Sequence, residues 1–161
     1  MANDKSLREH VVQLLQGGGA HLKLEAAVKD LPPSLRGKLP KGSEHSPWEI
    51  LEHMRIAAWD ILEFTRNPKH VSPEFPAGYW PGSQAPPDEA AWDKSVNALR
   101  ADMKALAGLV ADESIDLLAP LAHGKGQTVL REALVAADHN AYHLGELVLL
   151  RRMLGAWPEK G

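Results

Sequence analysis

The chain has 161 residues, enough to bury a hydrophobic core in one domain without covalent staples. It holds no cysteine, which excludes a disulfide framework, a thiolate zinc site and a protein-borne thiol nucleophile. The formal net charge is -3 with histidines neutral, and without a long basic patch nucleic-acid binding has no electrostatic support.

The opening residues, Met1-Ala2-Asn3-Asp4-Lys5, lead into no apolar signal core. No apolar run approaches the roughly 18 residues of a membrane span. The expectation is a cytoplasmic protein forming one domain over residues 1–161, with no membrane and no nucleic-acid partner. Val and Ile are sparse, while Ala and Leu recur at helical spacing, so an all-α fold is expected.

Residues 4–16 read as a helix with Leu7, Val11, Leu14 and Leu15 on one face, broken by Gly17-Gly18-Gly19. A second piece spans His21 to Asp30 and stops at Pro32-Pro33. Ser34 to His45 is polar and rich in Gly, Pro and Lys, and reads as loop. Ser46-Pro47-Trp48-Glu49 is the sharpest local signal: Ser46 caps, Pro47 suits the first helical position, and Glu49 closes a capping box. That helix runs to about Arg66, with Ile50, Leu51, Met54, Ala57, Ala58 and Ile61 on its apolar face.

Lys69 to Pro86 is a long proline-rich loop carrying Phe75, Tyr79 and Trp80; loops of this length inside compact domains are often functional. Pro86-Pro87-Asp88-Glu89 is expected to open a third long helix ending near Ala111. Thr128 caps the last and longest, which runs to about Met153 and ends at Gly155 and Pro158. Four main helices with connections of mixed length make an antiparallel four-helix bundle the economical architecture.

His139-Asn140-Ala141-Tyr142-His143 places two imidazoles one turn apart on one helix face, where they can share an ion. The blander alternative is a pair of surface or capping histidines. The motif is not that of a zinc protease, because Asn140 stands where a Glu general base would be needed. A di-iron carboxylate bundle also fails, since no Glu-x-x-His pair occurs. A third ligand must come from elsewhere. His53 sits at the edge of the apolar face of its helix, with a packed structural histidine as the alternative reading. His45 and His70 are expected to be solvated, and His123 to lie beside a cleft.

At these residues the sequence resembles the DinB/YfiT-like metalloenzymes, a family whose name is shared with an unrelated DNA polymerase. The stretch Ser46-Pro47-Trp48-Glu49-Ile50-Leu51-Glu52-His53 is similar to the family's first histidine helix. The A-D-H-N-x-Y-H-x-G-E run around His139 and His143 is similar to its closing histidine pair. The likeness extends from about Leu7 to Pro158. It implies a four-helix bundle, often a homodimer, with His53, His139 and His143 on one divalent ion such as nickel or zinc. Three imidazoles leave coordination positions open, as catalytic sites do. Ligand type alone does not choose among Zn, Ni, Cu and Fe(II).

Glu49, Asp60, Asp138 and Glu146 lie near a ligand in sequence or register, and any could accept a ring N–H; at least two of the four are expected to be solvated instead. Asn140 is expected to hydrogen-bond inside the bundle and Tyr142 to face outward. The tryptophans are expected in the core or an interface, with an aromatic substrate wall as the alternative.

The family likeness also implies use of a low-molecular-weight thiol such as mycothiol or bacillithiol, which suits a chain without cysteine. Three readings follow. One is a metal-dependent thiol S-transferase or hydrolase acting on a small molecule. Another is a non-catalytic metal-binding stress or regulatory protein. The last is a dimerising bundle with incidental histidines. No residue pattern identifies a substrate or a catalytic residue.

Overall fold

The computed structural model describes residues 4–157, so Pro158 lies outside the described residues. Among them are six α-helices and no strand: α1 (Lys5–Gln16), α2 (Leu24–Val28), α3 (Pro33–Arg36), α4 (Pro47–Arg66), α5 (Ala91–Ala111) and α6 (Val129–Met153). One 3-10 turn, Ala77–Tyr79, interrupts the long loop.

The ends of these helices follow from local chemistry. Gly17 leaves α1 at φ 67°, a conformation that costs glycine nothing. The Ser46 hydroxyl accepts the Glu49 N–H, and the Glu49 carboxylate accepts the Ser46 N–H at 2.8 Å, so the expected capping box forms. The same hydroxyl donates to the Gln84 carbonyl at 2.6 Å, pinning the end of the long loop to the start of α4. Thr128 caps α6 by accepting the Arg131 N–H.

Three expected boundaries need correction. Residues 21–30 shorten to Leu24–Val28, because Lys23 before it is extended (ψ 158°) and the chain leaves the helix at Lys29 (ψ 132°) and Asp30 (φ 56°). The loop expected after Pro33 contains α3, a single turn too short to register as periodicity, with proline at its favoured first position. Helix α5 begins at Ala91 rather than among Pro86-Pro87-Asp88-Glu89. There the Asp88 carboxylate accepts the Ala90 N–H at 2.8 Å, holding the backbone in a turn that competes with helix.

Helix α4 packs against both α5 and α6, and α1 lies against α5 and α6. The buried side chains form two clusters. Trp48, Leu51, Met54, Trp92, Leu99 and Leu147 build one, and Val11, Leu62, Leu106, Val110, Ala133 and Ala136 the other. Each fully buried leucine contributes about 1.5–3 kcal/mol, so the pairing of α4 with α6 is a strongly determined feature. Two arginines are buried with these clusters, Arg8 and Arg151. Among the described residues no helix is long and apolar enough to cross a membrane.

Candidate metal centre

Packing α4 on α6 brings His53 to His139 and His143. One ring nitrogen from each lies within 4.8 Å of the other two, and among the described residues no carboxylate is grouped with them. The His53 and His139 Nε2 atoms are 3.0 Å apart. At zinc–nitrogen distances of about 2.1 Å, two imidazole nitrogens on one tetrahedral ion sit about 3.4 Å apart. The closest pair already lies inside that spacing, and a pair at the 4.8 Å limit would close by about 1.4 Å. The donor set therefore fits one divalent ion.

The remaining ring nitrogens decide which lone pairs face the cluster. His53 Nδ1 is 2.9 Å from the Tyr79 carbonyl oxygen, which can only accept, so the proton sits on Nδ1 and the lone pair on Nε2. His143 Nδ1 donates to Glu146 Oε2 at 2.9 Å, which leaves its Nε2 unprotonated in the neutral ring. Burial, reinforced by the neighbouring imidazoles, pushes His139 and His143 down to about 4. Burial also lowers His53. All three rings are neutral at pH 7, the form that ligates metal.

The long loop comes to this cluster. Trp80 stacks on His53 with ring centroids 4.1 Å apart and planes 6° from parallel, and His45 stacks on Trp80 at 3.9 Å. Asp60, buried two turns beyond His53 on α4, anchors the loop. Its Oδ2 accepts the Tyr79 hydroxyl at 2.6 Å, and its Oδ1 lies 2.7 Å from His70 Nε2. Burial and the Asp60 carboxylate push the Tyr79 hydroxyl up to about 12, so it remains a donor. The chain of contact runs from Asp60 through Tyr79 to the proton position on His53.

The four carboxylates near the three histidines separate accordingly. Glu146 holds His143, Asp60 acts through Tyr79, Glu49 is consumed by the helix cap, and Asp138 is exposed. His45 and His70 are corrected: neither is simply solvated, because the loop folds back and gives one an indole and the other a buried carboxylate. His123 does not line the cluster; its Nε2 donates to the Phe64 carbonyl at 2.6 Å. The Asn140 side-chain amide donates to Met103 Sδ at 2.9 Å, while its buried Oδ1 has no hydrogen-bond partner. Tyr142 is exposed, as expected, and Trp48 and Trp92 are core. Sequence reasoning missed the Tyr79 carbonyl, since a backbone acceptor carries no residue signature. The aromatics of the long loop were the one visible pointer to it.

A sequence model described as the DinB superfamily matches residues 20–147. Among curated proteins and among solved structures, none matches the chain.

Proposed function

The chain belongs to the DinB superfamily, and on that premise we propose that it is a metal-dependent enzyme, a small-thiol S-transferase or a hydrolase, holding one nickel or zinc ion on His53, His139 and His143. The observation that carries this reading is the convergence of three neutral imidazoles from two helices, with the outer nitrogens of His53 and His143 already engaged. Once bound, the ion would act as a Lewis acid toward a group at its open positions. The protein's part is orientation. The Tyr79 carbonyl and Glu146 fix two ring tautomers, and Trp80 presents an indole beside His53. With no cysteine in the chain, the sulfur of a transfer reaction would come from a diffusible thiol.

Cobalt substitution tests the thiol branch. Adding a small thiol to the Co(II)-loaded protein is expected to produce sulfur-to-cobalt charge-transfer absorption, and His139→Ala is expected to abolish it. Stoichiometric cobalt whose spectrum ignores the thiol would remove the transferase and leave the hydrolase.

The anchoring of His53 makes a separate prediction. Asp60→Ala should weaken metal affinity by about 10-fold, the scale found for groups that orient ligating histidines. Tyr79→Phe should reproduce part of that loss, because the carbonyl remains while its tether is cut. Competition with a chromophoric chelator reads both, and unchanged affinity in Asp60→Ala would show that the loop does not orient His53.

The second reading, metal binding without catalysis, draws on one observation. Cavities of about 720 and about 780 Å³ flank the bundle, and none of the three histidines lines either. A homodimer forms part of the proposal, supported by exposed Leu7 and Leu14 on α1 and Leu134 and Leu149 on α6.

A further inference from the structure

The cavity of about 720 Å³ is bounded by α1, α5 and α6, with the segment from Gly17 to Glu25 along one side. It uses a different face of α6 from the histidines, since Ala137, Asn140, Ala141 and Leu144 line it and His139 and His143 do not. Its volume lies within the roughly 300–1,000 Å³ of small-molecule sites.

The lining is segregated by polarity. Leu15, Leu99, Ala107, Ala137 and Leu144 are buried and Met103 half-buried, which makes the interior mostly apolar, with the Asn140 side chain as its polar exception. The charged lining residues Lys23, Glu25, Arg100 and Lys104 are all exposed, so they stand at the mouth. Glu25 is the one carboxylate among them, and Arg100 engages it at 3.0 Å. The two lysines leave the mouth net cationic in a chain whose net charge is -3. Apolar walls reject a small polar metabolite, a cationic mouth rejects a cationic amphiphile, and the volume suits one chain rather than a two-chain lipid.

We propose that this cavity binds a single-chain amphipathic anion, with an alkyl carboxylate as its simplest form. The chain lies among Leu15, Leu99, Met103 and Leu144, and the head group lies at Lys23 and Lys104. The site is independent of the metal, so it stands or falls apart from the reading above.

Isothermal titration of the full-length protein with octanoate, decanoate and dodecanoate, each below its micelle concentration, tests this. One site is expected, with Kd falling about fourfold for each added methylene. Decyltrimethylammonium is expected to bind at least about tenfold more weakly than the carboxylate series at matched chain length, and the Lys23→Glu/Lys104→Glu double variant to reverse that order. Gly108 lines the cavity, and a Cβ built there meets nothing within 4 Å, so Gly108→Trp should fold and obstruct the mouth. Ala107→Leu narrows the interior, and both variants should lose the carboxylate. His139→Ala should keep it.

Absence of saturable binding would overturn the proposal, as would indifference to head-group charge or retention of full affinity in both cavity variants. Loss of binding in His139→Ala would place the carboxylate on the metal centre instead. Binding to anionic phospholipid vesicles without binding of monomeric carboxylate would make the patch a membrane contact. A Gly108→Trp variant with half the solution mass of the wild type would make it a contact between copies of the chain.

Discussion

His53→Ala, His139→Ala and His143→Ala are each expected to lower nickel or zinc affinity by more than about 100-fold, beyond the 10- to 100-fold typical of groups that merely orient a ligand. Each substitution removes one of three donors, and among the described residues the nearby Glu146 carboxylate is engaged by His143 rather than grouped with them. At a metal concentration a thousandfold above the wild-type Kd the wild type gains about 4 kcal/mol of stability, and a variant weakened 100-fold or more should gain about 1.4 kcal/mol or less. Metal analysis after gel filtration, together with melting curves with and without metal, reads both effects. Wild-type protein that retains no metal after incubation with zinc or nickel would overturn the site.

The same histidines make the metal-free protein sensitive to acid. His139 and His143 have an ordinary value of 6.5 and titrate at about 4 in the fold, first because burial disfavours the charged rings. Between those values the unfolded chain binds more protons than the folded one, so stability rises with pH across the window. The contribution is complete above about 6.5 and is lost as pH falls through about 4; each ring contributes at most about 3 kcal/mol, reduced by the solvent that still reaches it. Urea midpoints of the apo protein from neutral pH to pH 4 should fall accordingly, and His139→Ala should flatten the profile. Metal loading sharpens the dependence, since protons and the ion compete for the same lone pairs.

Arg8→Ala is expected to cost about 3 kcal/mol of stability while leaving metal affinity unchanged. The Arg8 guanidinium is buried and donates to the carbonyls of Val110 at 2.8 Å, Asp112 at 2.9 Å and Ile115 at 2.7 Å. These acceptors belong to the end of α5 and the turn beyond it, where carbonyls lack helical partners and a cation meets the negative pole of the dipole. Asp4, paired with Arg8 at 2.9 Å, completes the group. Arg8→Lys should recover only part of the loss, because an ammonium cannot span three carbonyls in a planar fork. Urea denaturation measures the change, and a cost below about 0.5 kcal/mol would mean water satisfies those carbonyls as well as the arginine does.

The helices themselves were legible because their signals are local. Periodic leucines and alanines mark α4 and α6. The capping box at Ser46 and Glu49, and Thr128 before α6, mark their starts within three residues of chain. Where a local rule competed with another local rule the reading slipped. Consecutive prolines at Pro86-Pro87 look like a helix start, but the Asp88 side chain takes the Ala90 N–H for a turn and α5 waits until Ala91. Helix α3 is one turn long, and one turn has no periodicity to read.

By itself the sequence determined the all-α class, the helix caps, and the His139–His143 pair, because an i,i+4 spacing becomes a distance as soon as a helix forms. Tertiary structure decided the rest. The approach of His53 to that pair depends on α4 lying against α6, a contact between residues 86 positions apart in the chain. The tautomer of His53 depends on a backbone carbonyl at Tyr79, and every residue type carries a carbonyl. The burial of His70 depends on a loop returning to Asp60, and that of Arg8 on the end of α5 reaching α1. These are contacts whose loop-closure cost the core packing must meet first, so no pattern along the chain announces them.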